Sequence, residues 1–140
     1  TTERAPLLAA DLQWHVEADV PPEALQATTD MAEWVQAVGS DDPRCLLGML
    51  YVLEGSTLGG MILGKCIAEM YGCEGDAGLA YYSAHGNKVM PNWMEFKARM
   101  NASVTSLEDQ DRIVAAAVET FRRLGLILTG LSLGLPGSDD

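Results

Sequence analysis

One long apolar segment, residues 43–71, constrains the fold more than any other part of the chain. After Pro43 it contains no proline, and apolar side chains occupy nearly every side of a helical wheel. Asp42 and Pro43 form a helix-start signal, and Gly72 is a helix-stop residue. Because a helix that is apolar all round is buried, the pattern predicts a buried central helix against which other helices pack.

The remaining segments also have helical spacing and are separated by proline and glycine. We expect helices at residues 5–18, 22–38 and 91–100, a last helix between Ser106 and Pro136, a short helix or turn at 75–84, and a loop at 85–87. Thr28, Thr29 and Asp30 predict a break in the second helix. Alternating strand patterns are absent, so the sequence predicts an all-α fold, and its 140 residues predict a single domain.

The last predicted helix has the clearest amphipathic pattern. Ser106 to Asp109 resembles a capping box at its start, and Pro136 with Gly137 is expected to end it. Its apolar residues recur at steps of three and four: Ile113, Ala117, Phe121, Leu124, Leu128 and Leu131. On the preceding helix, Trp93 and Phe96 are expected to face the core.

Charge excludes several classes of partner. Nine basic residues against 20 acidic ones give a net charge of −11. Binding to nucleic acid or to an anionic membrane needs clustered basic residues, so neither is expected. Residues 88–123 hold 6 basic and 5 acidic residues. The basic partners of any anionic ligand must therefore come mostly from that stretch.

The cysteines and the central segment both indicate where in the cell the protein is expected. Cys45, Cys66 and Cys73 are odd in number and form no CxxC pair, which argues against a disulfide framework and a structural zinc site. They predict reduced, mostly buried thiols in a cytoplasmic protein. The apolar segment is long enough to cross a membrane, but Glu54 at its centre argues against that interpretation.

Glycines in the central segment are its unusual feature. Each glycine in a helix costs about 1 kcal/mol relative to alanine. Gly48, Gly55 and Gly59, here called the glycine strip, lie near one line along the helix and leave bare backbone. Such a strip suits either a second helix packed very closely or a flat ligand lying on the helix. Physical reasoning from the sequence leaves both uses open.

Residues 50–60, LYVLEGSTLGG, resemble the distal-helix signature of the bacterial biliverdin-producing heme oxygenases, including the type found beside bacteriophytochromes. Three further segments are similar to the same family: residues 4–12 (RAPLLAADL), 78–82 (GLAYY) and 93–101 (WMEFKARMN). The final helix also fits. The resemblance therefore covers essentially the whole chain.

This resemblance implies a heme-oxygenase-like helical bundle that holds heme between a proximal and a distal helix. Heme is then both substrate and cofactor, and is opened to biliverdin with release of iron and carbon monoxide. Oxygen binds on the distal side, and electrons come from an external reductase or ferredoxin, so a redox partner protein is expected.

The resemblance also implies roles for particular residues. Gly55, Ser56 and Gly59 match the catalytic distal positions, where Ser56 replaces a carboxylate that orders water in animal relatives. Lys97 matches a basic partner of a heme propionate, with Arg99 as a second candidate. The full set of implied cofactor-binding residues is Tyr51, Gly55, Gly59, Gly60, Lys97 and Arg99.

The sequence departs from the family at the iron ligand. The family's proximal histidine lies in an N-terminal helix ahead of the segment resembling residues 4–12, and we expect this chain to be N-terminally incomplete relative to the family. His15 and His85 are its two histidines, and each is interpreted as a plain surface or core residue, which leaves the iron ligand unknown. Glu54 is interpreted as a buried carboxylate held by hydrogen bonds to neighbouring helices.

Two other functions remain open. The chain is alternatively a non-catalytic heme-oxygenase-like binding or interaction domain that has lost heme ligation. It is also compatible with a helical protein in which the glycine strip serves close packing only.

Overall fold

The computed structural model describes residues 4–15 and 23–133, and every regular element within them is helical. This confirms the predicted all-α class. The α-helices are α1 Ala5–His15, α2 Gln26–Asp41, α3 Leu46–Tyr71, α4 Ala80–Ser83, α5 Val89–Ser103 and α6 Leu107–Leu133, with 3-10 turns at Pro43–Cys45 and Gly86–Lys88.

The described residues form two compact units. In the first unit, residues 4–15 and 54–98, α1 packs against α4. In the second unit, residues 23–53 and 99–133, both α2 and the Pro43–Cys45 turn pack against α6. The expectation of one domain stays a prediction.

The ends of α3 follow the sequence signals. Asp42 accepts a hydrogen bond from the backbone N–H of Arg44 at 3.2 Å, and Pro43 opens the turn that leads into the helix. Gly72 ends the helix with a φ of +66°. The N–H of Cys73 then donates to the carbonyl of Ala68 at 3.1 Å, which is the bonding pattern of a glycine-terminated helix.

The prediction that α3 is buried all round is wrong. Met49 and Val52 are its buried large apolar residues, whereas Ile62 is 70% exposed and Met70 is 74% exposed. A helix with apolar residues on every side needs neighbours on every side. The described residues cover only part of its circumference.

One helical stretch, Pro43–Tyr71, is long and apolar enough to cross a membrane by length and composition. Core helices of soluble proteins pass the same test. The expectation that the chain does not bind a membrane therefore stays a prediction.

Some boundaries differ from expectation. The expected break in the second helix is absent, because Thr28, Thr29 and Asp30 lie in the first turns of a continuous α2, where such residues are tolerated. Residues 86–88 form a 3-10 turn and not a loop. The expected ends of the first and last helices fall in residues 16–22 and 134–140, outside the described residues.

Helix α6 buries one edge of the predicted apolar face, at Ile113, and not its whole width. Ile113, Ala116 and Thr120 are buried, whereas Phe121 is 62% exposed and Leu128 is 63% exposed. The physical reason is that α6 has apolar residues on two adjacent faces, and its neighbours cover only one. Trp93 and Phe96 on α5 are half-buried and stack on each other.

The capping box is only half formed. Ser106 Oγ accepts from the N–H of Asp109 at 3.5 Å. The Asp109 carboxylate does not return to Ser106; it binds Arg112 at 2.6 Å and also binds Arg44. The hydrogen bond from Arg112 holds the pKa of Asp109 below its usual value.

The prediction of mostly buried thiols is wrong for Cys66, which is exposed on α3. Cys45 is half-buried, and its pKa is raised by burial and by the neighbouring Asp42. Neutral thiols are poor nucleophiles.

Candidate functional site

The glycine strip has different neighbours at its two ends. A Cβ placed on Gly48 would overlap the carbonyl oxygen of Ile113 and lie 2.8 Å from the backbone nitrogen of Ala117. Helix α6 therefore packs directly on the backbone of α3 at this point. The close-packing use of glycine is realised at Gly48.

The strip is open at its other end. A Cβ on Gly59 would meet nothing within 4 Å, and one on Gly55 would meet the ring of Trp93 at 3.4 Å. The backbone at Gly59 is thus open, one helical turn beyond the glycine that borders the indole ring. This is the arrangement expected where a flat ligand lies on a helix.

Gly60 and Gly64 serve another purpose. Gly60 is buried, and a Cβ there would lie 3.6 Å from Tyr82; at Gly64 the distance to Tyr82 would be 3.2 Å. Burial also raises the pKa of the Tyr82 phenol, so it stays neutral. The structure therefore places Gly60 under a packed tyrosine, about 100° around the helix from Gly59.

Lys97 contacts the aromatic ring that borders Gly55. Its Nζ is 5.4 Å from the centre of the Trp93 ring, within the range of a cation–π contact. Trp93 in turn stacks on Phe96 with a centroid distance of 5.8 Å. Through Trp93, the structure brings together Gly55 and Lys97, two of the residues predicted from the sequence.

The other predicted site residues are divided between the two units. Ser56 is exposed on the part of α3 that belongs to the first unit. Tyr51, 38% exposed, and Arg99, also exposed, belong to the second unit. Their roles stay predictions.

A buried polar cluster lies directly beside the strip. Glu54 accepts a hydrogen bond from Arg4 Nη2 at 3.0 Å, and the side chains are only 15% and 17% exposed. Arg4 also lies against Tyr81, with Nη1 3.5 Å from the phenol oxygen. This ion pair confirms that Glu54 is a largely buried, hydrogen-bonded carboxylate, and it joins α3 to the residue that precedes α1.

His85 completes the cluster. Its Nε2 lies 3.2 Å from Arg4 Nη2 and 3.8 Å from Glu54. Because an arginine only donates hydrogen bonds, Nε2 is the acceptor in its contact with Arg4. Nδ1 lies 3.1 Å from the side-chain amide nitrogen Nδ2 of Asn92.

His15 is engaged elsewhere. Its Nε2 donates to the carbonyl of Gly78 at 2.9 Å, and its ring lies edge-on to Trp14 and Tyr71. Each histidine thus contacts protein groups through at least one ring nitrogen. Within residues 4–15 and 23–133, no group of three or more His, Cys, Asp or Glu side chains is placed to hold a metal ion.

The segment GLAYY is shaped by packing. Gly78 has a φ of +72°, and a Cβ there would lie 2.6 Å from Trp14. The buried carboxylate of Asp11 accepts from the N–H groups of Ala80 and Tyr81 at 2.7 and 2.8 Å, and so caps α4. These contacts position Tyr81 beside Arg4.

Sequence reasoning missed three contributors to this region. Trp93 was interpreted only as a core residue, and Arg4 and Asp11 were given no role of their own. All three lie within segments that resemble the family. A charged residue inside such a segment is the signal that could have identified Arg4 and Asp11.

Comparison with known proteins identifies the family. A family model described as heme oxygenase matches residues 2–128, most of the chain. Searches of the curated proteins and of the solved structures found no match. The match includes the glycine strip, Trp93, Lys97 and the polar cluster. The chain therefore belongs to the heme oxygenase family, whose ligand is heme.

Proposed function

We propose that the chain binds heme against the open end of the glycine strip and acts as a biliverdin-producing heme oxygenase of the bacterial type. The observation that carries the proposal is the bare, open backbone at Gly59, one helical turn beyond Gly55, which borders Trp93 and through it Lys97. Family membership supports heme as the ligand.

The residues around Gly59 fit a flat, largely apolar ring system. Ile62, Leu63 and Cys66 follow Gly59 at helical spacing on the same side of α3, and all three are exposed. A large apolar surface without a neighbour is expected to bind a ligand or a partner. This side of α3 therefore suits contact with one face of a heme.

Each predicted residue of the proposed heme site has a simple physical task. Gly55 and Gly59 allow close approach to the helix backbone, and the Lys97 ammonium attracts a propionate carboxylate. The Ser56 hydroxyl holds water on this side. The Arg4–Glu54 pair fixes α3 immediately before Gly55. Bound heme supplies the redox chemistry, with oxygen and with electrons from an external reductase or ferredoxin.

A non-catalytic heme-oxygenase-like domain is the second candidate. The observation that favours it is the engagement of both histidines, His15 by Gly78 and His85 by Arg4. We assign iron ligation to neither residue. This candidate predicts heme binding without turnover.

Hemin titration of matched variants tests where heme binds. Gly59→Leu fills the open end of the strip, while Gly125→Leu is a control on α6, where a Cβ would also meet nothing within 4 Å. Added imidazole serves as an external iron ligand, so that the Soret band reports binding whichever residue ligates iron. We expect Gly59→Leu to weaken binding at least tenfold and Gly125→Leu to leave it unchanged. Equal binding by both variants would refute the proposed site.

Turnover separates the two candidate functions. The hemin-loaded chain, without imidazole, is mixed with ascorbate under air, and absorbance follows the Soret band and biliverdin. Loss of the Soret band with stoichiometric biliverdin supports the oxygenase. A stable Soret band without biliverdin supports the non-catalytic domain.

A further inference from the structure

The His85 side chain connects the two helices that meet beside the glycine strip. Its ring nitrogen Nε2 lies 3.2 Å from Arg4 Nη2 and 3.8 Å from the carboxylate of Glu54 on α3. The other ring nitrogen, Nδ1, lies 3.1 Å from the side-chain amide nitrogen of Asn92 on α5. The side chain is only 9% exposed. One largely buried ring therefore contacts groups from α3, from α5 and from the residue before α1.

The two ends of this connection lie next to the wall of the proposed heme site. Glu54 is followed directly by Gly55, and Asn92 is followed directly by Trp93. A Cβ on Gly55 would meet the Trp93 ring at 3.4 Å, so α3 and α5 are in close contact here. All of these residues belong to the first unit. The contacts of His85 therefore hold α5 to α3 one residue away from the place where the indole ring borders the strip.

The contact between His85 and Arg4 depends on the charge of the imidazole ring. Arg4 Nη2 donates to Glu54 Oε2 at 3.0 Å and also contacts His85 Nε2. Because an arginine only donates hydrogen bonds, this contact needs an Nε2 without a hydrogen. A protonated ring carries hydrogens on both nitrogens and would place a second positive charge beside the guanidinium. Protonation therefore breaks the contact and makes both cations compete for the same Glu54 oxygen.

The groups that face the ring come from four parts of the first unit. Arg4 precedes α1, Glu54 lies on α3, and the uncharged Asn92 lies on α5. The Tyr81 phenol of α4 lies behind Arg4, 3.5 Å from Nη1. Among these side chains, histidine is the type whose charge changes between pH 5 and 8. With Arg4 and Glu54 charged, the cluster has no net charge while the ring is neutral and one positive charge when it is protonated.

We propose that His85 is a positioning residue that keeps Trp93 against Gly55. In its neutral form the ring holds α5 to α3. Protonation releases Arg4 and loosens the contact between Trp93 and Gly55, so heme binding weakens as the pH falls through the histidine range. This consequence for heme rests on the proposed function, whereas the coupling of His85 to Trp93 does not.

NMR of the heme-free chain tests the coupling. The indole N–H signal of Trp93, assigned with Trp93→Phe, is followed between pH 8 and pH 5, and we expect one inflection in this range. His85→Gln keeps a neutral acceptor for Arg4 and should remove the inflection. His15→Gln makes the same change at the other histidine of the chain and should leave it. A Trp93 signal without an inflection, or an inflection that persists in His85→Gln, would overturn the proposal.

Hemin affinity tests the consequence for the site. Quenching of tryptophan fluorescence reports binding whichever residue ligates iron, and the ratio of wild-type to variant affinity removes the pH dependence of hemin itself. Between pH 8 and pH 5 we expect the wild type to lose about fivefold more affinity than His85→Gln, the size of one hydrogen bond. Circular dichroism checks that the variants remain folded.

The two measurements separate the two ways of failing. Equal losses of hemin affinity in the wild type and in His85→Gln would overturn a role of His85 at the heme site. A wild type that binds no hemin at either pH would refute the proposed function, and the NMR inflection still decides whether His85 positions Trp93.

Discussion

Gly48 and Gly59 lie on nearly the same side of α3, about 20° apart by helical geometry, yet they serve opposite purposes. At Gly48 the backbone of α6 occupies the space that a side chain would need. At Gly59 that space is open. One sequence pattern therefore combines close helix packing at Gly48 with bare, open backbone at Gly59.

The difference shows what a glycine in a helix indicates. Both positions carry the same propensity cost of about 1 kcal/mol. At Gly48 the cost is offset by packing that no larger residue permits. At Gly59 no contact within 4 Å offsets the cost, which agrees with the ligand site proposed above.

Gly48→Ala should have the largest effect on stability. Its Cβ would overlap the Ile113 carbonyl oxygen, which belongs to helix backbone and cannot move cheaply. We expect the free energy of unfolding to fall by about 3 kcal/mol, measured by urea denaturation. The control Gly125→Ala lies in open space and should not destabilise. A loss below 1 kcal/mol at Gly48 would show that α6 does not pack this closely.

Glu54→Gln should have the next largest effect, because it removes the counter-charge of Arg4. Both side chains are mostly buried and joined at 3.0 Å. We expect a loss of about 2 kcal/mol in urea denaturation, since an arginine is left without its carboxylate. Glu69→Gln makes the same chemical change at an exposed position of α3 and should be nearly neutral. Similar losses in both variants would contradict a stabilising Arg4–Glu54 pair.

Gly59→Ala should change stability in the opposite direction from Gly48→Ala. Alanine has the higher helix propensity, and nothing lies within 4 Å of its Cβ. We expect the free energy of unfolding to rise by about 0.5–1 kcal/mol, measured in the absence of hemin. Destabilisation would mean that Gly59 has a packed neighbour and would remove the contrast with Gly48.

The smallest effect is expected from surface ion pairs on α6. Hydrogen bonds from Arg122 lower the pKa of Glu119 from 4.5 to about 2. Because the pKa is lower in the folded state, the stabilisation is present above pH 4.5 and is lost as the pH falls toward 2. Glu119→Gln should flatten stability against pH over that window, measured by thermal denaturation. An unchanged acid slope, as expected for the control Glu33→Gln, would show that solvent screens these pairs completely.

Sequence reasoning predicted the helices well because their signals are local. Asp42 and Pro43 start the turn before α3, and Gly72 ends the helix, since capping and φ > 0 depend on a few adjacent residues. The resemblance brought together Gly55, Gly59 and Lys97, and the structure places both Gly55 and Lys97 next to Trp93.

Burial was predicted less well. The apolar character of α3 and α6 is evident from the sequence, but which apolar face is covered depends on the neighbours available. Phe121 and Ile62 are apolar at helical spacing, and both are exposed. Periodicity identifies faces that can be buried, and packing chooses among them.

The sequence by itself determined the all-α class, the limits of α3 and the family, because each rests on local preference or on a continuous motif. Tertiary structure alone decided that Gly48 is packed and Gly59 open, and that Arg4, Glu54 and His85 form one cluster. Those contacts join residues up to 81 positions apart. No local pattern encodes such pairs, because they exist only once the helices have packed.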